Sequence, residues 1–137
     1  MQASTVKKAA KTIGIWIPAL LLVMIFAPQG WSKFFADSGW SRAFRHWGYP
    51  DWFRVTIGIM ELAAVGLLLL GRTAAFGALL IIAVMLGAMA THVIFDGGRH
   101  VTSEVVPLVL GATVLVLRRN QVADLLQQAR GRRARAS

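Results

Sequence analysis

Glu61 is the residue whose setting most constrains its chemistry. It stands between Met60 and Leu62 inside an otherwise uncharged run, Val55–Leu70. In hydrocarbon a carboxylate costs roughly 2.5–3.5 kcal/mol, so it has to face other helices and find a partner, a proton or a ligand. Gly58 and Val65, at i−3 and i+4, share its face, and the glycine lets a neighbouring helix or a ligand come close. His92 stands near the end of another apolar run, Ala74–Phe95, with Met85 and Met89 on the same face. Such a stripe can bind copper or haem, and more often packs around one satisfied histidine. Lys33 follows Pro28 and Gly30, and Glu104 opens the last apolar run. Lys33, Glu61, His92 and Glu104 thus give one ionisable residue to each apolar segment. Together they would form an outward-facing cluster that exchanges protons or holds a polar ligand head. Lys33 and Glu104 also have a simpler role open to them, snorkelling at the ends of spans.

Other chemistries are missing. There is no cysteine, which removes disulfides, Cys-ligated zinc, iron–sulfur clusters and CxxC exchange. No Gly-rich phosphate loop, Ser-His-Asp set or zinc-ligand spacing occurs, and no metal site is expected.

The elements that must position the four residues follow from composition. The chain has 137 residues, 56% of them apolar and 15% charged, with mean hydropathy +0.59. A soluble domain carries about 25% charged residues, and disorder needs far less apolar content. The expected fold is all-α: an integral membrane bundle of four helices in one domain. The candidate spans are Ile13–Phe26, Val55–Leu70, Ala74–Phe95 and Val105–Leu117, the last extended if it starts at Val101. No segment has a polar face wide enough to meet water. Lys7, Lys8 and Lys11 before Ile13 resemble the start of a signal peptide, but an A-x-A-like cleavage site is missing. The first run is read as an uncleaved span.

Four spans place both termini on one side. Lys7, Lys8, Lys11, Arg72, Arg118, Arg119, Arg130, Arg132, Arg133 and Arg135 lie there, against Lys33, Arg42, Arg45, Arg54 and Arg99 on the other. The excess marks the terminal side as cytoplasmic. The net charge of +9 is therefore read as topology, with the bilayer as partner and no nucleic acid. Residues 1–118 make the membrane domain and 119–137 a basic cytoplasmic tail. In that tail Val122, Leu125, Leu126 and Ala129 have the spacing of a short amphipathic helix over Gln121–Ala129, suited to anionic lipid. A frayed tail is the other reading.

Between the first two spans the chain is aromatic: Trp31, Phe34, Phe35, Trp40, Phe44, Trp47, Tyr49 and Trp52. Ser38 or Ser41 can cap a short helix over Trp40–Trp47, ended by Gly48 and Pro50. Such a segment lies in the membrane interface, as an anchor or as a lid over a cavity between helices. Glu61 is about nine residues into its span, roughly 13 Å deep. A lysine reaches about half as far, so Lys33 meets Glu61 only if the first helix continues inward-facing through Lys33 or the second span starts lower. The nearer candidate is His92, and Glu61 is expected to be protonated and bonded to it or to a backbone carbonyl.

The order of these residues resembles the DoxX family. Phe26, Gly30, Lys33 and Phe34 match its "F…G…K-F" end of the first helix. Trp47-Gly48-Tyr49-Pro50 is similar to its "lG-x-P" loop. Gly58, Glu61 and Leu62 followed by Leu68–Arg72 match "G-x-x-E-L…L-L-L-G-R". Met85, Ala88, Ala90 and His92 resemble the "m…A…h" end of the third helix. The resemblance covers about residues 15–118. It implies a bacterial inner-membrane four-helix protein of a family linked to thiosulfate oxidation with quinone as acceptor and to redox-stress complexes. By position Lys33, Glu61, Arg72 and His92 match the family's recurrent polar residues, and Gly30, Phe34 and Gly58 are motif residues beside them. A redox-associated subunit holding quinone is the first functional expectation, with a membrane redox protein as partner. The alternatives are a non-catalytic assembly protein and, more remotely, a small transporter working as a homo-oligomer.

Overall fold

The computed structural model describes residues 2–136. Six helices follow one another: α1 (Gln2–Ser32), α2 (Gly39–His46), α3 (Asp51–Leu69), α4 (Ala74–Phe95), α5 (Val101–Leu117) and α6 (Arg119–Ala136). There is no strand among the described residues. α1, α3 and α4 are each long and apolar enough to cross a membrane; α5 qualifies only together with α6, across a bend of 57°. Met24, Leu70, Ile94 and Val106 on the outside of the bundle are more than half exposed. In water they would make a large apolar surface, and a bilayer covers it. The chain is an all-α membrane protein.

α1, α3, α4 and α5 close a ring in which each helix packs on two neighbours, and the α5–α1 seam is the sparsest. Leu22, Phe26, Ala64, Leu68, Ala78, Ile81 and Val114 fill the centre and are fully buried. Hydrocarbon gives no hydrophobic reason for helices to associate, so close packing has to hold them. Small residues supply it at three seams. A Cβ on Gly77 of α4 would stand 2.8 Å from the Ala64 carbonyl of α3. One on Gly111 of α5 would stand 3.0 Å from the Ile82 side chain of α4. One on Gly58 of α3 would stand 3.0 Å from both the Gly30 carbonyl and Lys33 Cβ.

α1 begins at Gln2, before the expected Ile13, and α3 at Asp51, before the expected Val55. Two further boundaries also differ from expectation. The first helix does not stop near Phe26. It runs through Pro28 to Ser32. A proline cancels one backbone bond, here to the Met24 carbonyl, while ending the helix in lipid would orphan several groups at once. The second is the tail, where the amphipathic segment expected over Gln121–Ala129 is part of the longer α6, none of whose residues is buried. Gly71, at φ +69°, makes the α3–α4 turn. Its carbonyl accepts from Arg118 Nη1 at 2.9 Å and Gln121 Nε2 at 2.6 Å, which ties the start of α6 to that turn. Ala75 N–H donates to Gln121 Oε1 at 3.1 Å, and the Arg118 guanidinium lies 4.9 Å over Trp16.

α2 is capped by Ser38, whose Oγ accepts from Ser41 N–H at 3.2 Å. Ser41 instead accepts from Arg45 Nη2 at 2.6 Å. Gly48 at φ +76° ends the segment, and Pro50 is the N-cap of α3.

Candidate functional site

At the end of the bundle under α2 there is a cavity of about 190 Å³. Lys33, Glu61, His92 and Glu104 all line it, from the end of α1, from α3, from α4 and from α5. The rest of the wall includes Gln29, Ile57, Val84, Met85, Ala88 and Thr91, with Trp40, Phe44, Trp47, Tyr49 and Phe53 over it. Phe44 is buried at the centre of this cover, 5.5 Å from Trp47, 5.8 Å from Tyr49 and 6.1 Å from Phe53 between ring centres. Tyr49 fixes its edge to α4: Thr91 Oγ1 gives its own proton to the Gly87 carbonyl at 3.0 Å, so the Tyr49 hydroxyl donates to Thr91 at 2.9 Å.

Lys33 Nζ donates to both oxygens of Glu61, at 3.0 and 2.8 Å. Both side chains are 2% exposed. The ammonium also lies 3.8 Å over the Trp40 ring, whose π face favours a cation. The partner expected for Glu61, His92 or a backbone carbonyl, is therefore replaced by Lys33. The cause is the extra turn of α1, which carries Lys33 inward, and the Gly30–Gly58 crossing, which removes the side chains that would hold α1 and α3 apart.

His92 belongs to a second polar set. Asp96 Oδ2, one turn on and just past α4, accepts from His92 Nδ1 at 2.8 Å and from Trp47 Nε1 at 3.0 Å. Its other oxygen is 3.5 Å from His46 Nε2. The acceptor at Nδ1 places the ring proton there and turns Nε2 inward, 3.7 Å from Glu104 Oε1. The bond from His92, followed by that from Trp47, holds the Asp96 carboxyl below its usual value of 3.8 against the opposing effect of burial. His92 and Glu104 also line a wider groove of about 920 Å³ outside the cover, with Arg42, His46, Asp96, Arg99 and His100. A bonded, oriented imidazole thus stands between the closed cavity and the open groove, an arrangement able to accept or release a proton on either side.

Arg54 is 4% exposed. Its guanidinium donates to the Lys33 carbonyl and, at 3.2 Å, to the Phe35 carbonyl, closing the free end of α1. Asp51 Oδ1 accepts from it at 3.4 Å.

Of the motif residues, Gly30, Gly58 and Phe34 stand at the α1–α3 crossing, Phe34 with its ring edge 3.5 Å from a Cβ placed on Gly58. Arg72 is exposed in the α3–α4 turn and does not line the cavity. Met85 lines the cavity; Met89, half-buried, does not. Among the described residues no group of three or more His, Asp or Glu side chains is placed to hold a metal ion. Sequence reasoning placed Trp40 only in the interfacial segment, without its contact to Lys33, and missed Arg54 and Asp96. The His92–Asp96 spacing of one helical turn was a signal for the last. Trp40 and Arg54 had none beyond residue type, because their partners come from distant segments.

The model of the DoxX-like family matches residues 17–118. The chain is a member of the DoxX-like family. The match ends at Arg118, where α5 gives way to α6. No curated protein and no solved structure matches this DoxX-like chain.

Proposed function

We propose that this DoxX-like membrane protein is a redox-associated subunit that holds a quinone, or a similar lipid-like molecule, by its ring. The observation that carries this reading is the cavity itself: about 190 Å³, aromatic over one side, with Lys33, Glu61, His92 and Glu104 on its wall. A dry site of roughly 150 Å³ takes a benzene ring, so this one has room for a single-ring head. Few convergent polar groups in an apolar pocket are how such heads are oriented. Lys33 is the donor for a ring carbonyl, and His92 Nε2 is the acceptor for a ring hydroxyl. The oxidant or reductant resides on a separate membrane protein, since this chain has neither cysteine nor a flavin or metal motif. In this reading the protein sits in a bacterial inner membrane with both termini cytoplasmic, residues 1–118 forming the binding domain and 119–137 a basic tail.

The test is extraction. Lipid extracts of protein purified in its native membrane should contain quinone, and Glu61→Gln should retain less. If extracts hold none, and added quinone leaves the melting temperature of wild type unchanged, the reading is wrong.

One observation favours a second reading, an assembly protein. Trp31, Phe35 and Trp52 are 62%, 52% and 68% exposed beside the cover, a surface suited to a partner protein as well as to lipid headgroups. Isolation in mild detergent distinguishes the two, because an assembly role requires a stoichiometric protein partner and needs no quinone.

A further inference from the structure

The cavity has a neighbour on its α1–α5 side. A crevice of about 250 Å³ lies between α1 and α5, and it shares Gln29, Trp40, Met85 and Glu104 with the cavity. Its remaining lining includes Ile25 of α1, half-buried, and Val106 of α5, 59% exposed. Phe26, Pro107 and one polar residue, Ser103, complete it, so beyond the shared residues the wall is apolar except at Ser103. The place of the crevice in the ring is also informative. The α1–α3, α3–α4 and α4–α5 seams are each pinned by a glycine against a neighbour. The α5–α1 seam has no such glycine and is the loosest of the four. Pro107, also on the crevice, has no N–H for the Ser103 carbonyl, so α5 lacks a backbone bond at this seam.

The other opening is unlike it. The outer groove has apolar walls at Trp40, Ala43, Trp47 and Phe95, but it also carries Arg42, His46, Asp96, Arg99 and His100, groups that a hydrocarbon chain would desolvate at a cost. The crevice carries no charged residue besides the shared Glu104 and ends at the lipid-facing Val106, which makes it the better exit for an apolar tail.

We infer that the cavity's occupant passes an apolar tail through the α1–α5 seam between Ile25 and Val106 into the bilayer. The ligand is then a single-tailed amphiphile with a one-ring head, loaded from the membrane. This rests on the reading of the cavity as a ring-binding site. It adds the direction of access and the tail.

Two probes separate the two claims: decylubiquinone, and the same ring without a tail, 2,3-dimethoxy-5-methyl-1,4-benzoquinone. Binding is read by quenching of tryptophan fluorescence in nanodiscs, Trp40 and Trp47 lining the cavity. Val106→Phe narrows the seam from a lipid-facing position. Because the chain has no cysteine, Val106→Cys can also be labelled after folding with a bulky maleimide, which keeps the test independent of folding. Decylubiquinone affinity should fall by about tenfold or more, the equivalent of roughly two buried methylenes. The tail-less ring should bind as before. Unchanged decylubiquinone binding after labelling overturns the seam, and so does an equal loss of both probes. Failure of wild type to bind either probe overturns the ring site together with the seam.

Discussion

Lys33 Nζ meets both oxygens of Glu61, at 2.8 and 3.0 Å, across a crossing where Gly58 would place a Cβ 3.0 Å from Lys33 Cβ. The absent side chain and the ion pair are one structural fact. α1 and α3 come close because Gly30 and Gly58 are bare, and the closeness brings a lysine from the end of one helix to a carboxylate in the middle of the other.

Removing one partner of this pair should be severe. A buried charge left alone costs about 3–5 kcal/mol, whereas replacing both partners by apolar groups is often neutral. Lys33→Met and Glu61→Gln are each expected to destabilise by roughly that amount. Lys33→Met with Glu61→Leu should recover most of it. Denaturant or SDS titration in detergent gives the comparison, and a double variant no better than the singles would contradict the pairing. Infrared difference spectra of wild type against Glu61→Gln should show a carboxylate and not a protonated acid.

The crossing itself can be tested through glycines. Gly58→Ala sets a methyl 3.0 Å from the Gly30 backbone oxygen, which should cost about 1–3 kcal/mol and weaken the Lys33–Glu61 contact. Gly66→Ala on the same helix meets nothing within 4 Å. There the change should be neutral or stabilising by up to about 1 kcal/mol, from helix propensity alone. Equal effects at both sites would mean that close approach is not what Gly58 provides.

Arg54 should matter more than a charge at the start of a span. It bonds the Lys33 and Phe35 carbonyls from a buried position. Bonds from a charged donor are worth roughly 1.5–3 kcal/mol, and their loss strands two acceptors. Arg54→Met is expected to lower the melting temperature and, by loosening the end of α1, to raise the accessibility of Lys33 to amine-reactive reagents. Stability lost with no change in Lys33 labelling would show that Arg54 does not hold Lys33 in place.

Acid should release the cover through Asp96. Its carboxyl is held below the usual 3.8, first by the bond from His92. A depressed value in the folded state contributes stability that is present above the unfolded value and is lost as pH falls through the folded one. The Trp47–Asp96 bond should therefore persist at neutral pH and give way below about pH 4. Tryptophan fluorescence should show an acid transition there, and Asp96→Asn should lack it. Persistence of the same transition in Asp96→Asn would assign it to another group.

The amino-acid sequence alone determined the solvent and most of the elements. Long apolar runs need a bilayer, so an all-α membrane bundle followed from composition, and the bounds of Ala74–Phe95 are those of α4. Residue type also singled out Lys33, Glu61, His92 and Glu104, because ionisable groups in apolar runs are rare and costly. What the sequence left open was who pairs with whom. Pro28 looked like the end of a helix, since propensity weighs one lost backbone bond without the penalty lipid sets on the alternative. With the helix ended there, Lys33 was too far from Glu61. Only the packed bundle decides that Pro28 is internal and that bare glycines bring α1 onto α3. The bundle likewise brings Trp47 to Asp96 and leaves α5–α1 as the loose seam. These are distances between segments far apart in the chain, set by close packing, and no local pattern encodes them.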